Sequence, residues 1–95
     1  MYGKIRIAVV GASVAEFRER LGELSKIFSI KMTSFGVAEL TGASAPIEAL
    51  FIHSPAHLHG VEFDGYITLP YASRHPNFTE IMEALPARIR RRAVH

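Results

Sequence analysis

The 95-residue chain contains no cysteine. That excludes a disulfide framework, a thiolate nucleophile and a cysteine-type zinc site, and it leaves the apolar core to stabilise the fold unaided. The usage is compatible with a reducing cytoplasm, the expected location. A long hydrophobic run is missing too: the most apolar stretch, residues 5–12, is interrupted by Arg6 and falls far below the ~18 residues needed to cross a membrane. It is also short for the hydrophobic region of a secretory leader, so no membrane association is expected. No repeat with a period of 20–50 residues, no low-complexity tract and no linker divides the chain. A length just under the usual ~100–150-residue mode then allows one domain with one modest core.

Charge of one sign is missing from one place. Eleven Lys and Arg oppose nine Asp and Glu, a net charge of +2, yet residues 88–95 hold Arg88, Arg90, Arg91 and Arg92 and no acid. Taking those four charges from the total leaves residues 1–87 at −2. The expected organisation is a single domain over residues 1–87 followed by a basic tail over 88–95. A mildly acidic body argues against broad phosphate-backbone binding by the globular surface, and it confines any nucleic-acid contact to the arginines of the tail. Arginine outnumbers lysine and alanine is abundant, a usage that fits a GC-rich genome.

Residues 4–10 are β-branched and nearly continuous in apolar character after Arg6, the pattern of a central strand covered on both faces. Gly11 and Ala12 stop it. Ser13 stands three residues before Glu16, the spacing of a capping box, in which the serine oxygen accepts from the third backbone N–H and the glutamate reaches back. Val14, Phe17, Leu21, Leu24 and Phe28 recur at helical steps opposite Arg18, Glu19, Arg20, Glu23 and Lys26, so an amphipathic helix follows, weakened slightly by Gly22. Residues 29–34 alternate and read as a strand nearer an edge. Residues 35–46 carry Gly36, Gly42 and Pro46 around the short apolar group Val37, Ala38 and Leu40, which reads as one helical turn or an irregular crossover. Residues 47–53 form a third strand. Ser54-Pro55 resembles a cap followed by proline at the first helical position. Residues 63–69 supply a fourth strand, stopped by Pro70. Asn77 and Glu80 repeat the cap spacing before Phe78, Ile81, Met82, Leu85 and Ile89, and Pro86 is placed to kink or divide that last helix. The expected fold class is α/β: a mainly parallel four-stranded sheet flanked by helices. The link between the third and fourth strands, about ten residues, sits at the lower limit for a parallel crossover, so an antiparallel fourth strand is the alternative.

In a parallel sheet the strand carboxyl ends share one edge, the usual place for a ligand. Here those ends carry Gly11 and Ser13, Ser34, His53 and Ser54, and Arg74 and His75. Hydroxyls, imidazoles and a guanidinium beside a helix N-terminus make these the candidate ligand-binding residues, with a nucleotide or small anion as the class of ligand. Serine capping and polar loop composition explain the same residues without a ligand. The dinucleotide fingerprint G-x-G-x-x-G fails, because Ser13 and Glu16 stand where the second and third glycines belong and Glu16 opposes a pyrophosphate. No G-K-[ST] supplies a phosphate lysine and a magnesium hydroxyl, which argues against a Walker-type NTPase. Gly11-Ala12-Ser13-Val14-Ala15 approaches the nucleophile elbow G-x-S-x-G, yet no acid ends a strand to orient a histidine base. His53, His57 and His59 form H-x3-H-x-H, but on a helical turn His57 and His59 diverge by about 200°, so no metal site is expected. No second carboxylate joins Glu48, Glu62 or Asp64 by local spacing to make a catalytic pair. Phe35, Phe51, Phe63, Tyr66 and Tyr71 are not interleaved with basic residues as base-stacking platforms are. No catalytic residue, metal ligand or cofactor is assigned.

The segment Ile7-Ala8-Val9-Val10-Gly11-Ala12-Ser13, together with residues 47–55 and 63–70, resembles the compact Rossmann-like scaffold of many small bacterial and phage accessory proteins. That resemblance implies a phage or mobile-element protein from a GC-rich actinobacterial setting. The leading functional expectation is a small non-enzymatic interaction or regulatory protein that binds another macromolecule, first of all a protein, with a homodimer through an edge strand or the last helix among the candidates. The alternatives are a nucleotide or phosphate ligand at the strand ends, and nucleic acid bound through Arg88, Arg90, Arg91 and Arg92.

Overall fold

The computed structural model describes residues 5–34, 36–42 and 46–89. Its elements run β1 (Ile5–Val10), α1 (Val14–Leu24), β2 (Ser29–Ser34), β3 (Val37–Thr41), β4 (Ile47–Phe51), β5 (Gly65–Thr68) and α2 (Phe78–Ala84), with 3₁₀ turns at Pro55–Leu58, Ala72–Arg74 and Leu85–Arg88. The strands form one sheet in the spatial order β2-β3-β4-β1-β5. β1 is parallel to β4 and to β5, whereas β2–β3 and β3–β4 are antiparallel. The α/β class therefore stands, but the sheet is five-stranded and mixed rather than four-stranded and mainly parallel.

The difference lies in residues 35–46, which hold a strand and not a helical turn. Only residues 35 and 36 separate β2 from β3, and only 42–46 separate β3 from β4. Links that short join antiparallel neighbours, since a parallel crossover needs roughly a dozen residues. Gly36 and Gly42, at φ of 81° and 114°, are the turn residues that bracket the strand, because positive φ is open to glycine at little cost. Two reversals restore the original direction, so β4 runs parallel to β1. The link over residues 52–64 then passes from β4 across β1 to the opposite flank, where the fourth expected strand, β5, is parallel after all.

β1 is central as its composition requires. Ala8 and Val10 face one side, packed with Ile52, Leu58, Phe63, Ala72, Ile81 and Leu85. Val9 faces the other, packed with Phe17, Leu21, Ala38, Leu40, Ala49, Phe51 and Leu69. α1 covers the second face and α2 with the 3₁₀ turns covers the first. No polar or charged side chain is buried among the described residues, so the stability of the core is hydrophobic, at about 25 cal/mol per Å² of apolar surface removed from water. No helix is long and apolar enough to cross a membrane among the described residues.

α1 starts at Ser13, whose Oγ accepts the Glu16 N–H at 3.4 Å. Near its end, a methyl group built on Gly22 has no neighbour within 4 Å. Gly22→Ala is therefore expected to stabilise the protein by about 0.5–1 kcal/mol, read as a higher urea midpoint at unchanged slope. Pro86 divides the last helical segment as expected: α2 ends at Ala84 and a 3₁₀ turn continues to Arg88. The Arg88 carbonyl accepts the Phe63 N–H at 2.8 Å, and Ile89 pairs with Phe63. Arg90, Arg91 and Arg92 lie outside the described residues.

Candidate functional site

β1, β2, β4 and β5 point the same way, so their carboxyl ends share one edge of the sheet. Gly11 leaves β1 and Ser13 caps α1, while His53 and Ser54 follow β4. Arg74 closes the 3₁₀ turn Ala72–Arg74, and His75 follows it. Ser34 ends β2 on the same edge, but β3 and β4 stand between it and β1, a separation of about 14 Å at ~4.8 Å per strand. The candidate ligand residues thus divide into two groups, with Ser34 apart from both.

The first group surrounds the β1–α1 turn. Gly11 is buried, and a methyl group added to it would lie 2.8 Å from Leu69 Cδ1, 3.0 Å from Glu16 Oε1 and 3.3 Å from Phe51 Cε1. The turn therefore admits only glycine without displacement of its neighbours. Glu16 Oε1 accepts the Ala12 N–H at 2.8 Å, and Oε2 accepts the Tyr71 N–H at 2.9 Å. The expected capping box is half realised: the serine caps the helix, but the carboxylate passes Ser13, holds Ala12 instead and ties the β1–α1 turn to the loop after β5. Two hydrogen bonds of this kind to one carboxylate fix the loop against the turn. Beside it runs a groove of about 340 Å³ lined by Ser13, Glu16, Glu19, Glu23 and Arg74 among others. The Arg74 guanidinium stacks over the Tyr71 ring at 4.6 Å. A carboxylate thus stands beside the β1–α1 turn, and its charge opposes an anionic ligand approaching the start of α1.

The second group is aromatic. Phe51, at the end of β4, meets the His53 ring edge-on at 4.8 Å and the His75 ring at 6.2 Å, and His53 meets His57 at 5.5 Å. The His53 N–H donates to Nδ1 of His57 at 3.2 Å, and the Asn77 N–H donates to Nδ1 of His75 at 3.0 Å. Asn77 Nδ2 donates to the His53 carbonyl at 3.0 Å. Desolvation lowers the pKa of His53, and the neighbouring rings of His57 and His75 lower it further. The 3₁₀ turn begins with Pro55 as its sequence suggests, yet the Ser54 side chain makes no capping bond. Nor does the Asn77 side chain cap α2; its amide reaches across to the loop after β4 instead. No group of three His, Cys, Asp or Glu able to hold a metal ion occurs among the described residues.

Sequence reasoning placed Ser13, His53 and His75 at this edge but passed over Glu16, Tyr71 and Asn77 as participants. The Ser13–Glu16 spacing was the available signal for Glu16. Nothing local pairs it with Tyr71, 55 positions away.

No protein-family model matches the chain. No curated protein matches it either. Among solved structures it is similar to the large terminase of a thermophilic bacteriophage, determined in complex with ADP, with a TM-score of 0.68 and 11% sequence identity. The match covers 93% of this chain and 23% of the terminase chain. This chain thus spans about a quarter of that protein's length, and at that identity the likeness is one of fold: a compact α/β domain of the kind found within a phage protein.

Proposed function

We propose that this protein is a non-enzymatic α/β module that binds another protein, with a second copy of itself as the first candidate, through the flank of β5 that no other described strand pairs. The observation that carries this reading is the composition of that flank. Among the described residues β5 is an edge strand, and Tyr66 and Ile67 on it are 47% and 46% exposed. Tyr71, just beyond the strand, is 53% exposed. An edge strand with large apolar side chains and unpaired backbone groups is a template for strand addition unless something covers it. Glu16 supports the same reading from the other side, since its carboxylate stands at the β1–α1 turn and its charge opposes an anionic ligand there.

The test compares the wild type with Tyr66→Ser/Ile67→Ser in sedimentation equilibrium and in quantitative affinity capture from the native host. Concentration-dependent association, or a retained protein, that is lost in the double variant is the expected result. A wild type that stays monomeric, and that retains nothing the variant does not, removes the reading.

A second reading, a nucleotide or other phosphate ligand at the strand ends, is favoured by the likeness of fold to a terminase solved with ADP. It places the phosphate beside the Glu16 carboxylate, whose like charge opposes it. Isothermal titration with ADP, with and without magnesium, distinguishes the two: no heat is expected. Micromolar binding that Ser13→Glu abolishes establishes the second reading in place of the first. Recognition of nucleic acid by the arginine tail remains a third proposal, tested by deleting residues 90–95 and measuring the salt dependence of any complex. A phage or mobile-element origin is in keeping with the same likeness.

A further inference from the structure

We propose that β5 pairs with β5 of a second copy of this chain, antiparallel about a two-fold axis at Tyr66, with Gly65 of each copy opposite Ile67 of the other. The proposal rests on the reading above and adds the register, which the backbone decides. Asp64 donates its N–H to the Arg6 carbonyl at the β1 side, whereas Phe63 donates its N–H to the Arg88 carbonyl on the outer side. Backbone groups alternate sides along a strand, so Tyr66 and Thr68 face β1 with Asp64, while Gly65 and Ile67 face the outer flank with Phe63. The flank has a stop at each end. Ile89 stands beside Phe63, and beyond Thr68 the Leu69 N–H turns inward to the Val10 carbonyl before Pro70, which has no N–H. Between these stops, no described residue outside β5 bonds the N–H or carbonyl of Gly65 or Ile67.

A two-fold axis perpendicular to the sheet runs the second strand antiparallel, and outward-facing residues then meet in hydrogen-bonded pairs. The choice of centre is narrow. An axis at Gly65 sets Ile67 against Phe63, whose N–H Arg88 already holds, and an axis at Ile67 sets Gly65 against Leu69, whose N–H points inward. An axis at Tyr66 sets Gly65 against Ile67 twice, and each pair exchanges both of its bonds. That register alone satisfies every outward group of β5.

The side chains fit the same register. Ile67 pairs with Val9 and so lies on the α1 face with Gly65, whereas Tyr66 pairs with Ala8 and lies on the α2 face. Across the axis, Ile67 of one copy lies opposite Gly65 of the other, where an added methyl group would meet only Ile7 Cδ1, at 3.6 Å. The isoleucine thus covers a place that has no side chain of its own. Tyr66 meets Tyr66 at the axis as a pair without backbone bonds, the closer kind, and aromatic pairs of this sort stabilise a ladder. The contact is short, below the ~1,200 Å² of a standard interface, so the association is weak and is read in a concentrated sample.

The chain has no cysteine, so a single introduced thiol reports the register. Tyr66→Cys places two thiols across the axis with Cα atoms about 4.5 Å apart, within the ~4.4–6.8 Å that a disulfide spans. Thr68→Cys lies opposite Asp64 of the other copy, and its two thiols stand about 13 Å apart along the strands, too far to join. On mild oxidation, at a concentration where the wild type associates in sedimentation, Tyr66→Cys is expected to form covalent dimer at least about tenfold faster than Thr68→Cys. Association with equal rates, or with Thr68→Cys the faster, overturns this register and leaves the reading above standing. A wild type that stays monomeric in the concentrated sample overturns the pairing itself, even where the flank retains another protein. Should the thiol at position 66 weaken association, isotope-filtered NMR on mixed labelled and unlabelled wild type decides: contacts from the Ile67 methyls of one copy to the Gly65 Hα of the other uphold the register, and their absence overturns it. A monomer whose Gly65 and Ile67 amides resist exchange until residues 90–95 are deleted assigns the flank to the chain's own end and likewise overturns the pairing.

Discussion

Phe63→Ala is expected to lower the folding free energy by about 4 kcal/mol, from the ~3–5 kcal/mol typical of a buried phenylalanine truncated to alanine. Phe63 is fully buried in the cluster that packs Ala8 and Val10 of β1 against Leu58, Ile81 and Leu85. It is also the point at which the segment after α2 joins the sheet, through its N–H to the Arg88 carbonyl and its pairing with Ile89. The cavity left by the missing ring opens between β1 and α2, and the side chains that surround it are apolar. For a domain of this size 4 kcal/mol is a large part of the usual 5–15 kcal/mol, and it lowers the thermal midpoint by more than about 15 °C. Urea unfolding followed by circular dichroism measures it, with Phe63→Leu as a milder control expected to lose about 1 kcal/mol. A loss under 1 kcal/mol for the alanine variant would show that the α2 face of the sheet is not the core described above.

Glu16→Ala is the second large effect, about 2 kcal/mol. Two hydrogen bonds to an ionised carboxylate are removed, each worth roughly 1.5–3 kcal/mol when shielded. Water replaces part of that here, because Glu16 is only partly buried. Glu16→Gln separates the contributions: its carbonyl oxygen still accepts one N–H, but the amide nitrogen turns a donor toward the other, so an intermediate loss is expected. The consequence is also local. Amide exchange at Ala12 and Tyr71 speeds up together in the alanine variant, because one side chain holds both. If only Ala12 responds, the link between the β1–α1 turn and the loop after β5 is not made by Glu16.

These two positions show how differently the parts of this chain can be read from residue order. β1 was legible because a β-branched run that is apolar on successive residues suits only a strand covered on both faces, and Ala8, Val9 and Val10 are buried on alternate sides. The start of α1 was legible because Ser13 and Glu16 lie three residues apart, within one turn, and the division at Pro86 because a missing N–H acts on its own helix. β3 was not read as a strand. Its alternation of Ala38 and Leu40 with Glu39 and Thr41 is a strand signal, but it is short, and the flanking glycines suggested irregular chain when they marked two tight turns.

The candidate site divides along the same line. Residue order alone put small polar residues and histidines at the carboxyl ends of strands, removed thiol chemistry with the missing cysteine, and removed the known phosphate loops with the missing glycines and lysine. Those conclusions rest on identity and spacing, which are local. Tertiary structure decided the direction of β3 and the place of β5 beside β1. It also tied the β1–α1 turn through Glu16 to Tyr71, 55 positions away, and joined His53 to Asn77, 24 positions away. The physical reason is common to all of these. A strand's neighbour and a side chain's distant partner are chosen by which apolar faces must be buried together, and that competition is settled only when the whole sheet assembles.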